Sequence, residues 1–345
     1  MKIYFEKLHT GKLPHEFLHE LLGRHTSRDE RVIVGAAVGE DATVIDMGDR
    51  YLLAKTDPIT FVSENLGYYA VQVNANDIYC MGGTPKWFLA TLLLPETNTS
   101  RESVQAIFQQ IADACQNENI VYCGGHTELT VGLDRPILVG QMLGEADKSR
   151  LLHKKLIQEG DRILLAKPIP IEATAIISRE KVQEIVQAFS DDFLQRCQRV
   201  LHDPGLGVGL AARKAQEAGE VHGLHDITEG GLATALHEVS RAAGLGLQVR
   251  YDDIPFLPEG KLLCDHFGLD PLGCIGSGSL LIICCNDSLN NILNALDRAG
   301  ISAACIGSML GPEDGVAMAA GDEPYQRLPV FNQDEIIKIL ARQAI

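Results

Sequence analysis

The sequence predicts a two-domain protein of the α/β class with α+β character, and three observations carry that prediction. Segments of strand period alternate with segments of helical period along nearly the whole chain. The length of 345 residues suits roughly two domains at about 150 residues each. The composition breaks once, at Lys148-Ser149-Arg150 and Lys154-Lys155. That break divides a first domain over 1–150 from a second over 151–345, with Lys154 and Lys155 expected in a solvated linker.

Residues 1 to about 35 read as a lead-in, where Phe17, Leu18, Leu21 and Leu22 have the spacing of a short helix ended by Gly23. Two apolar runs, 42–45 and 51–54, flank Met47-Gly48-Asp49-Arg50 and predict a hairpin. Asp41 and Asp57 then come to the same edge of a sheet, each at the far end of its strand from the turn. Two converging carboxylates without an evident basic partner repel each other, and a divalent cation neutralises them. On these residues alone, two ordinary turn aspartates remain the alternative.

Ser63 or Asn65 is placed to cap a helix over about 66–81, with Asn74, Asp77 and Met81 on one face. A strand over 87–94 ends at Pro95, and Thr99 with Glu102 has capping-box spacing for a helix to about Gln116. A strand over 120–123 runs into Gly124-Gly125-His126-Thr127-Glu128, read as a turn, and a strand over 136–143 closes the domain. The second half opens with a strand over 162–166 and helices near 171–178, 180–188 and 191–200, then another after Asp203-Pro204-Gly205. A strand over 221–227 delivers Asp226 to its end, and Thr228-Glu229-Gly230-Gly231 starts a helix stopped at Gly244. Strands over 247–251, 280–285 and 301–306 alternate with helices over 258–267 and 287–299. A final helix over about 332–342 is expected to pack Ile336, Ile337 and Leu340 on the body.

The formal net charge of −16 argues against a nucleic-acid surface or an anionic membrane surface, both of which need clustered Lys and Arg. It does not exclude nucleotides, whose phosphates a magnesium ion bridges to carboxylates. The nine cysteines form no CxxC pair and sit mostly in apolar runs, the usage of a reducing, cytoplasmic compartment. The start, Met1-Lys2-Ile3-Tyr4-Phe5-Glu6, lacks a signal-peptide core, and no run of about 18 apolar residues predicts a membrane span.

Gly205-Leu206-Gly207-Val208-Gly209 is no dinucleotide fingerprint, because its third glycine comes early and no strand leads into it. Ser277-Gly278-Ser279 lacks the ending of a Walker loop. A nucleotide would therefore be held by carboxylates, magnesium and glycine-rich backbone. Five segments suit that role: 39–42 around Asp41, Thr56-Asp57, 74–77, Gly124 to Glu128, and His225 to Leu232. His202, His222 and His225 lack metal-site spacing and read as structural or phosphate-adjacent.

In order and spacing these segments resemble the family of aminoimidazole ribonucleotide synthetase, selenophosphate synthetase, thiamine-monophosphate kinase and the hydrogenase-maturation protein HypE. The resemblance spans about residues 38–310. His225-Asp226-x-Thr228-x-Gly230-Gly231-Leu232 and Asp270-Pro271-Leu272 look most like HypE. It implies a two-domain synthetase-like fold, with the first domain forming a dimer sheet and the second an α/β sandwich. It also implies ATP in a cleft between the domains. Magnesium would be held by Asp41, Asp57, Asp77 and Asp226, with Glu128 as a further ligand. Asn74, Gly124, Gly125, Thr127, Thr228, Gly230 and Gly231 would bind the nucleotide, and Asp77, Asp226 and His126 would be catalytic.

The activity implied is phosphoryl transfer from ATP to an acyl or amide oxygen of a small-molecule or carrier-protein substrate, with hydrogenase maturation proteins as partners. A small-molecule kinase or synthetase of the same superfamily, and a non-catalytic nucleotide-binding scaffold, are the alternatives. The tail departs from HypE: Ala341-Arg342-Gln343-Ala344-Ile345 carries no cysteine. The acceptor is therefore expected to arrive from outside the chain.

Overall fold

The computed structural model describes residues 8, 10–27 and 29–340. The expected alternation folds into two sheets with helices between and around them. In chain order the elements are α1 (His15–His25), β1 (Val32–Val34), β2 (Thr43–Asp46), β3 (Tyr51–Ile59), α2 (Leu66–Cys80), β4 (Thr84–Pro95), α3 (Arg101–Asn117), β5 (Val121–Thr130) and β6 (Ile137–Ala146). The second half adds β7 (Arg162–Ala166), α4 (Ile171–Glu180), α5 (Val182–Ala188), α6 (Asp191–Arg199), α7 (Gly209–Ala218), β8 (Val221–Asp226), α8 (Gly231–Ala243) and β9 (Gly246–Arg250). It closes with α9 (Pro258–Phe267), β10 (Leu280–Cys284), α10 (Leu289–Arg298), β11 (Ala303–Leu310), β12 (Val316–Ala319), β13 (Gln326–Arg327) and α11 (Ile337–Leu340).

The first sheet runs β1-β2-β3-β6-β4-β5, antiparallel except for the β4–β5 pair at one edge. The expected hairpin is present, with Thr43 opposite Ala54 and Asp46 opposite Tyr51. The second sheet runs β13-β12-β9-β11-β7-β10-β8. Its central strands are buried on both faces, and their side chains alternate between two cores because successive residues of a strand point to opposite sides. Leu164, Ala166, Leu280 and Ile282 join one core, and Ile163, Leu165, Leu281 and Ile283 the other. The first of these cores is continuous with that of the first domain, from Val34 through Ile339.

Helix α2 lies at the junction. Every residue in it except Tyr68 is buried, so it is enclosed on all sides rather than amphipathic. That enclosure puts Asn74, Asn76 and Asp77 in the interior. Asn76 donates to Leu206 O and accepts from Val208 N, both at 2.9 Å, and so ties α2 to the second half.

Several expectations are corrected. Lys154 does not lie in a solvated linker: it is buried in a short turn, Lys154–Leu156. Gly124-Gly125 is no turn but lies inside β5, which continues to Thr130. The capping box of α3 is built by Ser100 and Ser103 instead of Thr99 and Glu102. Asn65 takes a left-handed conformation and makes no side-chain cap to α2, and α1 continues past Gly23. The helix expected over 332–342 is the single turn α11, with Ile336, Ile337 and Ile339 buried and Leu340 packed against the core. Residues 341–345, including the tail discussed above, lie outside the described residues, as does the start at 1–7. The short strands β1, β12 and β13 had no sequence signal of their own.

Candidate functional site

The β2–β3 hairpin, α2 and β8 bring four expected carboxylates to one place. Asp41 precedes β2, Lys55 and Asp57 share one face of β3, Asp77 projects from α2, and Asp226 ends β8. Sequence reasoning expected no basic partner here; the fold supplies three. Lys154 Nζ lies 2.6 Å from Asp41 Oδ2, and His225 Nδ1 lies 2.7 Å from Asp41 Oδ1. Lys55 Nζ lies 3.1 Å from Asp77 Oδ1 and 3.4 Å from Asp57 Oδ2. His225 Nε2 in turn meets Glu238 Oε2 at 3.1 Å. The histidine read as structural is thus fixed at both ring nitrogens.

Each environment moves its group in a definite direction. Burial pushes Asp41 up, but Lys154 and His225 outweigh it and hold this carboxyl below its usual range. Burial opposes the charge on His225, yet the Asp41 carboxylate raises it to about 9. Asp226 is pushed up to about 6, by burial and then by Asp41. Asp77 is raised well above its usual range by burial, with Lys55 pulling the other way. For Lys55 burial is outweighed by Asp77, Asp57, Asp41 and Asp226, so its ammonium is firmly charged.

The cluster suits a divalent cation. One ligand atom each from Asp41, His225 and Asp226 lies within 4.8 Å of the others, but Asp41 and His225 already have their polar atoms engaged. Among the described residues, Asp77 Oδ2 and Asp226 Oδ2 are buried and have no hydrogen-bond partner. Buried carboxylate oxygens are ordinarily hydrogen-bonded, so these two are open to a cation, and Asp57, half-buried beside Lys55, is the neighbouring carboxylate. The Lys55 ammonium supplies the positive charge between Asp57 and Asp77.

The glycine-rich segment Gly124–Glu128 does not join this cluster. Asp57 faces Gly140 of β6, Gly140 faces Ala90 of β4, and Ala90 faces Gly125 of β5. Three inter-strand spacings separate the ends of that row, about 14 Å. His126 and Glu128 are exposed and pair with each other at 3.0 Å, and Thr127 is exposed beside them. Gly125 is required by packing, since a Cβ there would stand 1.9 Å from Ala90 O. Gly124 has φ 113° and open space around it.

Asn74 is turned toward the protein. Its side chain accepts from Asp57 N at 2.9 Å and donates to Ala70 O at 2.9 Å. At the other end of the cluster, Gly230 and Gly231 take positive φ values of 83° and 65°, and Thr228 Oγ1 accepts from Lys12 Nζ at 3.0 Å. The amino end of α8 already holds an acid: Gly230 N donates to Asp334 Oδ2 at 2.7 Å. A phosphate there has to share that end with a carboxylate.

Lys55, Lys154, Asp334, Lys167 and Glu172 were all missed as site residues. Lys167 donates to the carbonyls of Pro204, Gly205 and Gly207 at 3.0, 2.9 and 2.7 Å, and burial lowers it to about 8. It holds the loop that Asn76 grips. Glu172 lines a small pocket with Asp57, Thr228 and Ser277, accepts from Ser277 N at 3.2 Å and is raised to about 8 by burial. No local pattern marks Lys154, Lys167, Glu172 or Asp334, because their partners are distant in sequence.

Comparison with known proteins gives the family of the chain. The AIR synthase related protein, N-terminal domain, matches residues 39–146, and the AIR synthase related protein, C-terminal domain, matches residues 158–319. The chain belongs to the AIR synthase related family. A hydrogenase expression/formation protein of Methanocaldococcus jannaschii is 26% identical to this AIR synthase relative over 318 residues, covering 89% of this chain and 90% of that one. A selenide, water dikinase of Dechloromonas aromatica is 29% identical over 235 residues, covering 67% of this chain and 64% of its own length. The crystal structure of the hydrogenase maturation protein HypE in complex with ATP matches the fold with TM-score 0.67 at 20% identity, covering 92% of this chain and 91% of that one. Among the described residues, no helix is long and apolar enough to cross a membrane.

Proposed function

We propose that this AIR synthase relative uses ATP to activate an acyl or amide oxygen of a small-molecule or carrier-bound substrate by phosphoryl transfer, in the manner of HypE. The observation that carries the reading is the pair of buried oxygens Asp77 Oδ2 and Asp226 Oδ2, without a partner among the described residues, with the Lys55 ammonium paired to the other oxygen of Asp77. Asp57, Asp77 and Asp226 would hold a magnesium ion, whose charge would neutralise that of the phosphates. Lys55 then has an anionic partner on either side, and Lys154 with His225 keeps Asp41 ionised and fixed beside Asp226. In the transfer, the substrate oxygen bonds to the terminal phosphorus as the bond to ADP breaks, and backbone dipoles around Thr228 face the charge that develops.

Three further points belong to this reading. The chain is a homodimer formed through the first sheet. The edge strand β5 supports that, with Val121 and Leu129 exposed along it and Val131 exposed just beyond it as an uncovered edge. His126, Thr127 and Glu128 enter the chemistry only across such a contact. The relative from M. jannaschii supports a place in hydrogenase maturation, with maturation proteins as partners. The nine cysteines, all free, suit the cytoplasm. The selenide, water dikinase relative favours, as a second reading, a kinase acting on a different small nucleophile.

Incubation of the full chain with ATP, magnesium and metabolite extract, read by mass spectrometry, tests the proposal. A phosphorylated or dehydrated product formed only with magnesium is expected. Absence of any magnesium-dependent turnover of ATP contradicts it.

A further inference from the structure

A cleft of about 1050 Å³ runs beside α8 and has no part in the reading so far. Gly230, Thr234, His237 and Arg241 line it. They recur every three or four residues, so the cleft follows one face of α8 for about 16 Å. Leu13, Pro14, Phe17, Val330 and Phe331 give it apolar lining. Helix α1 buries none of its own residues. It is held over the cleft by ion pairs, Glu16 with Arg241 and His15 with Glu238, while Lys12 just before it also meets Glu238.

One end of the cleft meets the acid cluster. Glu229 lines both this cleft and the small pocket that holds Asp57 and Thr228. That end is acidic: among the described lining residues there, Glu229 and the buried Asp334 stand against the one Lys or Arg, Lys12. The other end differs. Arg327 lies on β13, at the opposite edge of the second sheet from β8, and makes no ion pair among the described residues, whereas Arg241 and Lys12 are paired.

We propose that this cleft is the acceptor pocket, and that it takes an elongated small molecule with an apolar middle and one anionic group at the Arg327 end. The inference rests on the ATP-dependent reading above and names its substrate class. A triphosphate would have to lie against Glu229 and Asp334, so the nucleotide is not the expected occupant. A molecule anchored at Arg327 by a carboxylate or a phosphate instead presents its uncharged end to Thr228 and the acid cluster. The apolar flank from Phe17 and Phe331 supplies contact between the two ends.

The test uses the full chain and the fluorescent probe 8-anilinonaphthalene-1-sulfonate, an aromatic body with one anionic group. One saturable site per chain is expected, undisturbed by saturating magnesium and ATP. Arg327→Glu should weaken the probe at least tenfold and Val330→Trp should block it. Both positions are exposed, so thermal midpoints should hold. ATP binding, measured by calorimetry on the same variants, should be unchanged, while product formation from metabolite extract falls with Arg327→Glu. Unchanged probe affinity in both variants, or displacement of the probe one-for-one by ATP, overturns the proposal. Absence of ATP binding in the parent chain would overturn the functional reading instead, whatever the probe does.

Discussion

Two regions were expected to form one site, and they differ in almost every physical respect. Around Asp41, Asp77 and Asp226 the chain is buried, and each charge has a specific partner or an evident vacancy for one. Along β5 the side chains of His126, Thr127 and Glu128 are exposed, and His126 and Glu128 pair with each other. The same kind of motif, an acid beside glycine, occurs in both. Burial decides what it does. In the interior an ionised carboxylate must be neutralised, so the fold converges Lys55, Lys154 and His225 on the acids. On an edge strand water does that work, and the residues acquire a role only if another surface covers them.

The comparison breaks most sharply at Lys154. Lys154→Met leaves Asp41 buried with His225 as its remaining partner. A loss of about 3–5 kcal/mol of stability is expected, as for other buried pairs with one partner removed. Urea unfolding measures it; a change within 0.5 kcal/mol means that Asp41 is solvated and the contrast is wrong.

A second prediction uses the buried acid beside the cluster. The folded pKa of Glu172, about 8, lies above its ordinary value of 4.5. Its native state therefore holds the proton more tightly. The stability it contributes is fully present below about pH 4.5 and is lost as pH rises through about 8. Glu172→Gln should remove that loss. The difference in stability between pH 5 and pH 9 should shrink by about 4 kcal/mol relative to the parent. An identical pH dependence in the two proteins places Glu172 in contact with water.

The smallest effect on the protomer is expected at the edge. Leu129→Glu and Val131→Glu should change unfolding by no more than about 0.5 kcal/mol. Light scattering should nevertheless show the mass fall from dimer to monomer. A monomer mass for the parent across micromolar to millimolar concentrations rules out the covered edge.

The interior region was the more legible of the two in sequence. The hairpin register, the strand that ends at Asp226 and the shared helix face of Asn74 and Asp77 all follow from local period and turn chemistry. These features place the acids because each acid sits at a fixed offset from its own element. Their partners were not legible. Lys154 pairs with a residue 113 positions away, and Asp334 reaches Gly230 across 104. Lys154 sits in a basic, polar stretch that reads as linker, and only the packed tertiary structure distinguishes a buried lysine from a solvated one. At β5 the error ran the other way. Gly124-Gly125 carries a turn signal, but Gly125 is there for close approach to β4, a reason that no local pattern encodes.

Calorimetry of ATP binding tests the central claim most directly. The account predicts binding with magnesium present, none in excess chelator, and at least a tenfold loss in Asp77→Asn. That change removes the charge of one of the two carboxylates that keep a buried oxygen without a partner among the described residues. Equal affinity with and without chelator, or parent-like affinity in Asp77→Asn, would contradict it.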